Sequence, residues 1–184
     1  MRILAIILLT TGFGACASLR GQTRDENWER CTSAAPDLSI EACTALIQSG
    51  TEMIENLSAA FYNRGNAHRQ KDELDRAIQD YDRALELNPG NANALDNRGL
   101  AYTLKGDYVH AISDLDDALR SNPGNVTALA NRGAAYTRTG DFLRAISDYD
   151  QVLSINPGNA NALATGVEPT FIAAASPPHG RTLR

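Results

Sequence analysis

The chain has 184 residues, and its 17 Lys and Arg stand against 22 Asp and Glu, a formal net charge of −5 at pH 7. That sign excludes a general nucleic-acid binder, which needs a basic face for phosphate. The length is about that of one domain, and a single Trp, modest apolar content and no long block of like charge describe a folded, soluble chain.

Residues 1–17 stand apart. Arg2 is the only charge before Arg20, residues 3–9 are almost purely apolar, and Thr10, Thr11 and Gly12 lead to Ala15-Cys16-Ala17. A basic tip, a short apolar stretch and a small-x-small exit form the pattern of a secretory signal peptide. A membrane-spanning helix needs about 20 apolar residues. Two cleavage readings compete. Ala15-x-Ala17 gives a soluble periplasmic or secreted product beginning at Ser18. Phe13-Gly14-Ala15-Cys16 also resembles a bacterial lipobox, in which Cys16 becomes an acylated, outer-membrane-anchored first residue; only then is a membrane a partner. Phe13 and Gly14 match the lipobox poorly, so the soluble product is the preferred reading. Removing residues 1–17 takes away one Arg and no acid, and the mature charge becomes 16 − 22 = −6. Export leaves Cys31 and Cys43 as an even pair, which reads as a disulfide in an oxidising compartment. Two buried free thiols are the alternative, and a zinc site lacks its further Cys or His.

From residue 58 a unit of 34 residues occurs three times without insertion, over 58–91, 92–125 and 126–159. A fixed period in this range marks a solenoid of stacked supersecondary units. Two helices can be read in each unit. In the third, Leu129, Ala130, Gly133, Ala134 and Tyr136 form one apolar stripe. Phe142, Ala145, Ile146, Tyr149, Val152 and Leu153 form the next, at helical spacing. Gly140-Asp141 separates them, the glycine suited to a left-handed helix end and the aspartate to a cap. Gly106-Asp107 does the same in the second unit. The first has Asp72-Glu73, the least ideal of the three turns. Asn-Pro-Gly-Asn closes each unit at 88–91, 122–125 and 156–159, and the proline forces the helix to stop.

These residues resemble the tetratricopeptide repeat. Gly65, Gly99 and Gly133 occupy the family's glycine place, with His68, Tyr102 and Tyr136 at its tyrosine place. Ala77, Ala111 and Ala145 take the alanine place, and Tyr81, Leu115 and Tyr149 the aromatic place. Pro89, Pro123 and Pro157 close the units. The resemblance implies an all-α fold, an α-solenoid of antiparallel helix pairs wound as a right-handed superhelix. Two departures recur to the eye. Arg64, Arg98 and Arg132 replace the usual apolar residue before each glycine, and their repetition points to architecture, with the stem on apolar surface and the head wet or paired. Val152 replaces a small alanine and is expected to loosen its helix contact.

One period back from Gly65 and Ala77 lie Cys31 and Cys43. In the family those two places mark the closest approach of paired helices, so residues 24–54 are expected to form a divergent helix pair, stapled there and acting as an N-terminal cap. Residues 160–164 restart a fourth unit, but Pro169, Pro177 and Pro178 preclude a regular second helix. The segment 160–184 is therefore a partial repeat and an irregular tail; either the last repeat is left uncapped, a place for self-association, or Phe171, Ile172 and residues 173–175 fold back over it.

Chemistry is sparse. His68, His110 and His179 are scattered, with His68 expected as a core residue. There is no phosphate loop, no Ser-His-Asp arrangement and no Cys/His cluster, so neither enzyme activity nor a cofactor or metal is expected. Asp75, Asp80, Asp82, Asp114, Asp116, Asp117, Asp148 and Asp150 recur on the second helices and read as a solvated acidic face. In the family the first helices line a concave groove for a peptide or helix of another protein. Carried over by position, the groove holds Tyr62, Asn63, Asn66, Arg69, Asp96, Asn97, Leu100, Thr103, Asn131 and Arg138. Asn63, Asn97 and Asn131 form a ladder suited either to gripping a backbone or to bracing neighbouring helices. Some relatives hold acidic tails of cytosolic chaperones in a carboxylate clamp. Asn66 and Asn97 match two of its places, but Tyr62, Thr127 and Asn131 stand at its basic ones, so that partner is not expected. The resemblance implies a non-catalytic protein-interaction adaptor, and the leader at 1–17 assigns it to the cell envelope. A lipid-anchored scaffold of the same fold, or a glycan or small-ligand binder, are the alternatives.

Overall fold

The computed structural model describes residues 22–158. The leader at 1–17 with Cys16, and the tail at 160–184 with both readings of the end, lie outside the described residues. Within them are eight α-helices and no strand: α1 (Arg24–Cys31), α2 (Pro36–Ser49), α3 (Ile54–Gln70), α4 (Leu74–Leu87), α5 (Ala92–Lys105), α6 (Tyr108–Ser121), α7 (Val126–Thr139) and α8 (Phe142–Ile155). Consecutive helices form antiparallel pairs, and each pair packs on the next as an α-solenoid.

Local chemistry sets the helix ends. Thr23 and Glu26 form a reciprocal capping box at α1, and Pro36 opens α2 where its missing N–H costs nothing. The side chains of Asn91, Asp107, Asn125 and Asp141 accept backbone N–H bonds at the starts of α5, α6, α7 and α8. Gly106 and Gly140 end α5 and α7 at φ +83° and +80°. Asp72 fills the matching turn of the first repeat at φ +60°, a conformation an L side chain adopts with difficulty.

The paired helices approach closely because one of them lacks a side chain at the crossing. A Cβ on Gly99 would lie 2.8 Å from Leu115 Cγ, and one on Gly133 2.8 Å from Tyr149 Cε1. Leu85, Leu95, Leu115, Leu119, Leu129, Tyr149 and Val152 fill the continuous core around these crossings. Val152 is fully buried, so the wider side chain is taken up within the core.

The N-terminal pair is closed on itself and packed onto the array. Cys31 and Cys43, both buried, are bonded as a disulfide with Cα atoms 4.8 Å apart, and they pack with Leu46 and Trp28 against Ala60 of α3. Arg24 of α1 reaches Glu52 through two hydrogen bonds of 2.8 and 2.9 Å. Those bonds hold the Glu52 carboxyl below its ordinary range, against its partial burial.

The recurring arginine is the main polar element of the core. Arg98 donates from Nε and Nη2 to both carboxylate oxygens of Asp114 on its own pair, at 2.8 and 2.7 Å. Its remaining arm donates to Asp82 of the preceding pair at 2.6 Å. Arg132 repeats the pattern with Asp148 and Asp116. Arg64 binds Asp80 in the same fork and meets Thr44 in place of the earlier aspartate. Burial works against the charge on Arg98, and the two carboxylates more than offset it; at Arg132 the bonds to Asp148 dominate. The expected solvated acidic face is thus corrected at Asp80, Asp114 and Asp148, which are buried and paired, and at Asp82 and Asp116, which are partly exposed and paired. Removing one member of such a pair strands a buried charge, at a cost of about 3–5 kcal/mol. Arg98→Met should therefore lower the urea midpoint well beyond Arg120→Met, which breaks only the exposed pair with Asp117, worth about 1 kcal/mol or less. Circular dichroism of the two variants checks this, and equal midpoints would remove the arginine from its structural role.

Candidate functional site

The first helices of the three repeats, α3, α5 and α7, lie side by side, and their facing side chains form one row. On α3, residues 62, 66 and 69 share a face by helical spacing, as 96, 100 and 103 do on α5 and 131 and 138 on α7. Hydrogen bonds cross between successive helices along this row. Asn97 Nδ2 donates to Tyr62 Oη at 3.1 Å and to Asn66 Oδ1 at 3.0 Å. Asn131 Nδ2 donates to Asp96 Oδ1 at 2.8 Å. From α4, Tyr81 donates its hydroxyl to Asn66 Oδ1 at 2.8 Å, and its ring lies 6.2 Å from that of Tyr62.

Burial pushes the Tyr81 hydroxyl up to about 12, although the Arg69 guanidinium beside it pulls the other way, so Tyr81 remains a neutral donor that fixes the Asn66 amide. Burial also raises the Asp96 carboxyl, while the Asn131 and Asn125 amides and the charge of Arg69 lower it. The Arg69 Nε is buried without an acceptor.

The residues expected in the groove do not all act together. Tyr62, Asn66, Asp96, Asn97 and Asn131 form the bonded row. Asn63 reaches only the Cys31 sulfur, with Nδ2 4.0 Å away, so the asparagine ladder has two rungs that brace helices and a third residue outside it. Thr103 spends its hydroxyl on the Gly99 carbonyl of its own helix. Leu100 is half-buried, and Arg138 is exposed with no hydrogen bond or ion pair to the row among the described residues. At the N-terminal end the row opens into a pocket walled by the α1–α2 turn. Cys31, Thr32, Ser33 and Ala34 face Asn63, Asn66, Ala67 and Gln70 across it. That turn escapes the position-by-position transfer because it belongs to the divergent pair. Tyr81 escapes it because its ring marks a core place while its hydroxyl extends past the core.

His68 lies apart from the row. It is buried, with Nδ1 2.6 Å from Glu73 Oε2. Among the described residues no three His, Cys, Asp or Glu side chains are grouped to hold a metal ion, and no helix is long and apolar enough to cross a membrane.

The family described as tetratricopeptide repeat matches the sequence over 58–91, 92–125 and 126–159, more than half of the chain. No match was found among curated proteins. Solved structures share the fold. The first repeat domain of Spaghetti (RPAP3), bound to the HSP90 peptide SRMEEVD, is 26% identical with a TM-score of 0.61, over 64% of this chain and 91% of that one. The second repeat domain of human RPAP3, in complex with the HSP70 peptide SGPTIEEVD, is 28% identical with a TM-score of 0.59, over 64% and 98%. A repeat protein from Parabacteroides merdae, 24% identical with a TM-score of 0.66 over 77% of this chain and 55% of its own, shares the architecture. Matched unit for unit and folded as paired helices throughout, the chain belongs to the tetratricopeptide-repeat family, whose domains commonly mediate protein–protein interaction on a scaffold that is typically non-catalytic.

Proposed function

We propose that this chain is an exported, non-catalytic adaptor that holds a peptide or helix of a partner protein along the row on α3, α5 and α7. The observation that carries the reading is the crossed bonding of that row. Asn97 fixes Tyr62 and Asn66 together, so an aromatic anchor and an amide stand ready without ordering cost on binding. The two structural neighbours bound to peptides support the use of this fold for a segment of another protein. Their acidic chaperone tails are not the partner inferred here, because Tyr62, Thr127 and Asn131 stand where a carboxylate clamp places its bases. Affinity capture from envelope extract, with residues 18–184 as bait beside a Tyr62→Ala/Asn97→Ala variant, should return a protein that the variant loses. Identical captures from two folded baits would defeat the reading.

The envelope location rests on the leader at 1–17 and on the paired Cys31 and Cys43. A lipid-anchored scaffold is the second reading, favoured by Phe13-Gly14-Ala15-Cys16. Expressed whole in a bacterial host, the protein should be recovered from the envelope with an intact mass beginning at Ser18 and no thiol open to alkylation before reduction. Reduction should then cost on the order of 3 kcal/mol of stability. A mass beginning at an acylated Cys16 would select the anchored form, and a cytoplasmic product retaining residues 1–17 would end the export proposal.

A further inference from the structure

Four aspartates are buried among the described residues: Asp80 at 5% exposure, Asp96 at 6%, Asp114 at 7% and Asp148 at 2%. Three of them receive the forked arginine of their own repeat. Asp96 receives no cation. It accepts a hydrogen bond from Asn131 Nδ2 at 2.8 Å, and the Asn125 amide also lowers its carboxyl; both are neutral, and among the described residues no Lys, Arg or His lies within 4.0 Å of it. Its exception is one of position. The paired aspartates sit on second helices inside the repeat, while Asp96 sits on α5 in the row that a partner would cover.

A carboxylate withdrawn from water without a counter-ion is unfavourable, and proteins meet it with a paired base. The charge of Arg69 reaches the Asp96 carboxyl and lowers it, but from beyond ion-pair distance. The Arg69 guanidinium is turned to the Tyr81 hydroxyl, leaves its buried Nε without an acceptor and makes no ion pair with Asp96. A basic side chain entering the row could lay its stem on half-buried Leu100, one turn along α5, and bring its head to Asp96. The net charge of −5 would draw such a segment in from solution.

We propose that Asp96 is the receptor for a Lys or Arg side chain of the bound segment, and that the row therefore selects basic segments. This rests on the row being the peptide site. It also separates the chain from its two peptide-bound neighbours, whose peptides end in Glu-Glu-Val-Asp.

The test uses the purified chain and two immobilised libraries of short random peptides, one containing Lys and Arg and the other with both replaced by Gln. The chain should retain the first library, enriched for a base at one position. Replacing that base by Gln in the best peptide should weaken binding by about thirty-fold or more, the loss expected when one partner of a buried charge pair is removed. Asp96→Asn keeps an oxygen for Asn131 Nδ2 and removes a buried charge, so it should melt no lower than the parent. It should bind the basic and Gln peptides equally. Absence of base enrichment, or its survival in Asp96→Asn, overturns the inference and leaves the peptide site standing. If Asp96→Asn melts lower, the Gln-for-base peptide on the parent chain decides alone. Retention of neither library overturns both the inference and the groove reading.

Discussion

The arginine that forks onto one aspartate and reaches back to another is the contact on which the array depends. Apolar packing draws the helices together, but packing alone tolerates sliding, because Ala, Leu and Tyr fit one another in several registers. A guanidinium offers its donors in a fixed plane. With two arms on Asp114 and one on Asp82, Arg98 can be satisfied only when α4, α5 and α6 stand in one arrangement. The glycine that follows it in sequence, Gly99, removes the side chain that would otherwise hold α5 and α6 apart. The Arg-Gly pair therefore joins a polar requirement for position to an apolar requirement for closeness.

Much of this architecture was legible in the sequence, and the reason is periodicity. A pattern that repeats three times at one spacing averages out the accidents of any single helix, and the cap residues Asp107 and Asp141 state where the second helices of their units begin. The arginine was visible too, as a departure that recurred. Its partners were not. Residues 98 and 114 are separated by a turn and lie on antiparallel helices, a relation that no helical or strand period encodes, so the acidic residues read as solvent-facing. The even pair of cysteines announces the disulfide by itself, but its place at a helix crossing is legible only through the register of the later repeats, since nothing local in residues 24–54 announces a helix pair.

The site was less legible for a different reason. Position along the first helices indicates which residues face the row, but not which are already spent. Thr103 is spent on its own helix, and Asn97 and Asn131 are spent on their neighbours, whereas Asn63 and Arg138 retain most of their capacity. The α1–α2 turn that walls one end belongs to no repeat. What the row offers a ligand is therefore set by subtraction, and only a three-dimensional account of every donor and acceptor performs it.

The two strengths within the arginine ladder have a consequence for how the array comes apart. The forked bond joins helices of one repeat and is buried, with Asp114 at 9% and Asp148 at 3% side-chain exposure. The single-armed bond joins successive repeats through Asp82 and Asp116, each 43% exposed. Salt and water weaken the second and spare the first. Each repeat is thus a tightly coupled unit, and the joints between repeats are the softer elements of a nearly one-dimensional chain of such units. Opening from the C-terminal side carries Arg132 away with its own Asp148 and leaves behind only the half-exposed Asp116, so that opening strands no charge. The cooperativity of the molecule is then a quantity that ionic strength can tune from one block to several.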